Sequence, residues 1–148
     1  MLLFIGVIVY VVVCCLIPPL LKSSNAEISD ETNISFYLKP NRIHVFIDAL
    51  RGIGSPKFIC FLIEENGETL IMAPYGKKDF HSHRVPNEVY HGYRSMELCR
   101  LPLCSIVAKL YGWEPDCSYR VPGTILRDKH MVIFYLKQAT LIEHEEYI

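Results

Sequence analysis

FICFLIEENGETLIMA, residues 58–73, holds two apolar runs on either side of an Asn-Gly pair. Phe58–Ile63 is apolar at every position, so neither of its faces suits water. That predicts a central strand covered on both sides. Asn66-Gly67 is the strongest short-range hairpin signal, because a type I′ turn needs two residues at positive φ. Thr69–Ala73 is then the return strand.

Upstream, Ile43, Val45 and Ile47 are apolar and β-branched with other residues between them, the period of a strand. Asp48 can cap one short helical turn, which Gly52 and Gly54 end. Ser55-Pro56 leads into the 58–63 strand. Downstream, 74–93 is polar and rich in His, Lys and Arg, and reads as a connection with one short strand at Ser82–Val85. Met96–Leu98 is a short strand. Pro102–Gly112 is the clearest helix: Pro102 suits the first turn and Gly112 the stop. Leu103, Ile106, Val107 and Leu110 fall on one face. Cys117–Ile125 and Met131–Leu136 are two more strands, joined by a turn at Arg127–His130.

The order strand, short helix, hairpin thus occurs twice, in 34–75 and 94–137. This predicts an α+β domain over 34–140, a small barrel-like sheet built from two similar strand-helix-hairpin halves. The expected core is Ile43, Val45, Ile59, Phe61, Ile63, Leu70, Met72, Leu103, Val107, Leu110, Val132 and Phe134. Residues 22–33 read as a polar linker and 141–148 as a tail. A length of 148 residues allows one domain of this size.

Ahead of the domain, Met1–Ile17 (MLLFIGVIVYVVVCCLI) carries no charge. Seventeen residues of helix rise about 25 Å, the lower limit for crossing a bilayer. The stretch 1–21 is therefore expected to be an N-terminal apolar helix, serving as membrane segment or signal. Lys22, on its C-terminal side, favours a cytoplasmic domain. Ser24-Asn25-Ala26 offers small residues for cleavage, which would make the protein secreted instead. If the segment is not native, the domain is cytoplasmic.

Fifteen basic residues against sixteen acidic ones give a net charge of −1, so any basic surface must be local. The only dense basic stretch is Lys77-Lys78 through Arg84, with His81 and His83 inside it. In a strand His81 and His83 would share a side and could share a metal, but no Cys or His spacing matches a structural zinc pattern. Cys99 and Cys104 are too far apart for a Cys-x-x-Cys redox pair. Cys60, Cys99, Cys104 and Cys117 read as free thiols, with two disulfides in one of three pairings as the alternative if the domain is exported. No paired carboxylates, nucleophile motif or phosphate loop is present. The chain reads as non-enzymatic, with no cofactor.

Asn41–Pro74 (NRIHVFIDALRGIGSPKFICFLIEENGETLIMAP) resembles AbrB-type swapped-hairpin domains, small bacterial DNA-binding modules of transition-state regulators and antitoxins. Arg42, the turn at Gly52–Gly54 and the strands at 58–63 and 69–73 follow that layout. The family's proline after the first strand is replaced by Phe46-Ile47, and Met96-Glu97-Leu98 has no basic residue. The resemblance implies a DNA-binding regulator. Together with the basic stretch, it makes Lys39, Arg42, Arg51, Lys77, Lys78 and Arg84 the candidate nucleic-acid contacts. The alternatives are a membrane-tethered domain that binds a protein partner or a second copy, and a metal protein using His81 and His83.

Overall fold

The structure is a computed structural model that describes residues 30–99 and 101–142. The expected apolar helix at 1–21, most of the linker and the acidic end from 143 lie outside these residues. Among the described residues no helix is long and apolar enough to cross a membrane.

The elements are β1 (Glu31–Tyr37), β2 (Arg42–Phe46), α1 (Ile47–Gly52), β3 (Phe58–Ile63), β4 (Thr69–Pro74), β5 (His83–Arg84), β6 (Ser95–Cys99), α2 (Pro102–Tyr111), β7 (Ser118–Leu126), β8 (Met131–Tyr135) and β9 (Thr140–Ile142). Short 3-10 turns lie at Asn87–Tyr90, Arg127–Lys129 and Leu136–Gln138. Every strand joins one antiparallel sheet in the order β5-β3-β4-β8-β7-β1-β2-β6, with β9 beside β7.

This corrects the expected α+β class with two similar halves. The described chain is mostly antiparallel sheet, curled into a half-barrel, with two helices. Two stretches account for the difference. Residues 31–33, assigned to a linker, open a seven-residue strand at the middle of the sheet. Residues 75–94 supply only the two-residue β5, so β5 and β6 do not pair and the sheet stays open between them.

The hairpin at 58–73 forms, with Ile63 opposite Leu70 and Phe61 opposite Met72. Its turn differs from the expected I′ type. Asn66 keeps negative φ and Gly67 alone is left-handed, at φ 72. The Gly67 amide donates to Glu64 O, the Glu64 amide to Thr69 O, and the Glu68 amide to Asn66 Oδ1. That is a four-residue loop built on a type I turn, whose only left-handed position is filled by glycine.

β1 alternates strictly at its start: Thr32, Ile34 and Phe36 are buried while Glu31 and Asn33 are exposed. It pairs with β2 on one side and along its whole length with β7 on the other. β7 carries a proline, normally excluded from central strands because it donates no ladder hydrogen bond. Pro122 falls where β7 changes neighbour: Ser118–Arg120 pair with β9, and Gly123–Leu126 with β8. Nothing on that flank asks Pro122 for a bond. At Gly123 a Cβ would lie 2.5 Å from the Phe134 ring and 2.7 Å from Ile133 O, so only glycine lets β8 approach.

The two helices close opposite ends of β2. α1 follows β2 directly and buries Ile47, Ala49 and Leu50. A Cβ on Gly52 would meet Ile125 Cγ2 at 2.5 Å, which measures how closely α1 rides on β7. α2 lies at the β1–β2 turn, where Cys104 Sγ approaches Arg42 O at 4.0 Å, and its last residue, Tyr111, donates its hydroxyl proton to Gly67 O. α2 buries Cys104 and Val107. Of the expected core, Leu110 is 55% exposed, as is its neighbour Ile106 at 47%. The reason is that α2 meets the sheet with the Cys104–Val107 side and leaves the 106–110 stripe outside. Ile43, Val45, Ile59, Leu70, Met72, Val107, Val132 and Phe134 are buried, and Phe61, Ile63 and Leu103 pack against them partly covered.

Candidate functional site

The open side of the sheet is where basic side chains gather. After α1 the chain turns through Gly54 (φ 96) and Ser55 (φ 50), and the Ser55 amide donates to Leu50 O. Pro56 and Lys57 then enter β3. β5 adds to β3 with Arg84 opposite Phe58, and the Val85 amide donates to Lys57 O at 2.8 Å. The 3-10 turn at Asn87–Tyr90 folds back over this junction. It is tied there by the Tyr90 hydroxyl, which donates to Pro56 O at 2.7 Å, and by Arg51, which donates to Tyr90 O at 3.3 Å. Burial pushes the Tyr90 hydroxyl pKa up to about 12, so it remains a neutral donor.

Between these walls lies a cleft of about 800 Å³. Lys57, Lys78, Arg84 and His91 bring cationic or protonatable groups to it, and Phe58 and Tyr90 bring aromatic surface. Ser55 and Asn87 add hydrogen-bonding groups. Among the described residues no carboxylate lines it. Lys78 is presented by a loop folded around Asp79. The Asp79 carboxylate accepts from the Tyr75 hydroxyl at 2.8 Å and the His81 amide at 2.7 Å. Burial works against that carboxylate's charge, but these hydrogen bonds and the neighbouring positive groups hold its pKa below the ordinary value.

Of the six candidate contacts, Lys78 and Arg84 line the cleft, and Arg51 touches its Tyr90 wall. Lys77 is exposed on the same loop. Lys39 and Arg42 are not brought there. They belong to the β1–β2 turn and the start of β2, at the far end of that strand from α1. Arg42 is also engaged by Glu97 on β6 at 3.2 Å, which His44 shares. Lys57 and His91 are the residues that sequence reasoning misses. Both reach the cleft through the β3–β5 pairing and the 3-10 turn, and neither belongs to the basic run at 77–84.

His81 and His83 do not form a paired site. β5 starts only at His83, so His81 stands in the preceding turn, its ring tilted against Phe80 with centroids 4.1 Å apart. His83 is half-buried with its ring 5.7 Å from Phe61, and burial lowers its pKa. Among the described residues no group of three His, Cys, Asp or Glu side chains is placed to hold a metal ion. Cys60, Cys99, Cys104 and Cys117 are free thiols. The aromatics of the second half serve packing: Trp113 stacks on Tyr119 at 4.4 Å and tilts against Phe36 at 5.5 Å.

Compared with known protein families, with curated proteins and with solved structures, the chain matches none.

Proposed function

We propose that this domain is a non-enzymatic binding module that takes nucleic acid by its phosphates in the cleft between β5 and the Asn87–Tyr90 turn. The observation that carries the reading is the convergence of Lys57, Lys78 and Arg84 on one cleft that no carboxylate lines among the described residues, in a chain whose overall charge is close to zero. Cations gathered this way displace counterions from a phosphate backbone. Phe58 and Tyr90 add surfaces on which unpaired bases can stack, which favours a single strand. AbrB-type duplex binding, as the sequence resemblance implies it, would instead centre on Arg42.

The two modes separate in one experiment. Fluorescence anisotropy of a labelled single-stranded oligonucleotide and of its duplex is followed at low and moderate salt. For three phosphate contacts log K falls against log salt with a slope of about −2 for a single strand. Lys78→Ala/Arg84→Ala should weaken binding about tenfold or more and flatten that slope, while Arg42→Ala leaves both unchanged. Sensitivity to Arg42→Ala alone would transfer the site to the β1–β2 turn. Absence of binding at low salt would remove the nucleic-acid reading.

A further inference from the structure

Five large hydrophobic side chains stand exposed among the described residues, and the two most exposed are both aromatic: Phe80 at 79% and Tyr93 at 62%. The other three are Ile106 and Leu110 on α2 and Leu141 on β9. Phe80 belongs to the loop that presents Lys78 to the basic cleft, two residues further along the chain. Tyr93 stands two residues beyond His91, where the chain leads from the cleft's 3-10 wall into β6. Neither ring lines the cleft itself. A lone exposed hydrophobic needs no explanation. Two aromatic ones, on the two segments that border one basic cleft, form a pattern.

Both rings are held by closed turns. The Asp79 amide and carbonyl bond Ser82 Oγ at 3.0 Å, and the Phe80 ring lies against that of His81. Tyr93 stands between Gly92, at φ 114, and Arg94, whose carbonyl accepts from the Ile47 amide at 2.8 Å. Each ring also has an exposed cation close in sequence that lies outside the cleft lining: Lys77 on the first segment, Arg94 on the second. Of the two carboxylates on these segments, Asp79 is engaged by Tyr75 and the His81 amide, and Glu88 is exposed on the 3-10 turn. Cations interleaved with exposed aromatic faces suit a single strand, whose phosphates are neutralised while its bases find a surface to stack on. A duplex keeps its bases stacked on one another and gains nothing from either ring.

We propose that Phe80 and Tyr93 are base-stacking platforms flanking the cleft, so that its occupant is a single strand that runs beyond the cleft onto both rings. This rests on the nucleic-acid reading of the cleft and adds to it the two residues that separate a single strand from a duplex.

The full chain is titrated by fluorescence anisotropy with a labelled single-stranded oligonucleotide, with its duplex, and with the same strand made abasic. Phe80→Leu and Tyr93→Leu keep an apolar side chain and remove the π face, and circular dichroism checks that the variants fold. Each should weaken binding of the intact strand about fivefold or more. The salt slope should not change, because stacking releases no counterions. Neither the duplex nor the abasic strand should register the substitutions, and Phe80→Trp and Tyr93→Trp should bind at least as well as wild type. If no oligonucleotide binds at low salt, the nucleic-acid reading falls and this inference with it. If the strand binds with its salt dependence but ignores both leucine variants, or if the abasic strand loses as much as the intact one, the reading of the cleft stands and the stacking role is overturned. Loss of binding to phosphatidylserine vesicles in the leucine variants, with the oligonucleotide unaffected, would overturn it in favour of a membrane surface.

Discussion

β1 and β5 each precede one member of the β2–β6 pair, and each also crosses to a hairpin: β1 to β7, β5 to β3. There the likeness ends. β1 runs seven residues, has partners on both flanks and buries Ile34 and Phe36 completely. β5 runs two residues, has one partner and never reaches β6. Where the pairing is complete the sheet has a packed centre and no room. Where it stops short, the next segment leaves the sheet as a 3-10 turn, and the basic cleft lies between that turn and the β3–β5 junction. The same step in chain direction thus yields stability at one place and an accessible site at the other.

The sharpest way to break this contrast is to truncate a side chain at each strand. Phe36→Ala removes a fully buried ring from the centre of the core and should cost about 3–5 kcal/mol in urea unfolding. Arg84→Ala, exposed on β5, should change stability by no more than about 0.5 kcal/mol while weakening oligonucleotide binding. Comparable losses at both sites would mean that β5 supports the fold as β1 does.

Amide exchange sharpens the same comparison without substitution. The Ile34 and Phe36 amides lie in a strand flanked on both sides, so they should exchange only through global unfolding. The Arg84 and Val85 amides lie at the sheet's open edge and should exchange by local opening, about a hundredfold faster or more. Equal protection in native-state exchange would show the edge to be covered.

The contrast was only half legible in the sequence. FICFLI and TLIMA announce their strands because an unbroken apolar run has few other places to go. Asn66-Gly67 marks the hairpin correctly but not its loop, since Glu64 and Thr69 close it two residues further out. β1 was hidden by Glu31 and Asn33, whose polarity reads as linker until β7 and β2 flank the strand. On α2 the spacing 103, 106, 107, 110 defines an apolar stripe. Which stripe is covered depends on how the helix meets the β1–β2 turn, and the turn favours Cys104 and Val107. For the cleft, the basic run at 77–84 contributes Lys78 and Arg84. Lys57 joins it only through the non-local pairing of β3 with β5, and Arg42 drops out because β2 pairs with β6 and brings Glu97 to it. Periodicity encodes which side chains turn inward; it does not encode which distant segments meet.

The smallest expected effect is a pH dependence that belongs to β5 alone. His83 is the strand's first residue, half-buried opposite Ile59 and near the Phe61 ring. Burial disfavours its charged form, so its folded pKa lies below the ordinary value of 6.5. In the unfolded chain the same imidazole takes up its proton near that ordinary value. Between the two pKa values the unfolded state binds more protons, and stability there rises with pH. The contribution is therefore fully present above pH 6.5, declines as pH falls through it, and levels off below the folded pKa. His83→Gln keeps a polar side chain and removes the titration. The difference in unfolding free energy between wild type and variant, measured from pH 8 down to pH 5, should shift against the wild type as pH falls. Because β5 is short and partnered on one side, this shift should be smaller than the loss from Phe36→Ala. A difference that stays constant across the range would place His83 in free solvent and leave β5 without its one half-buried titratable group.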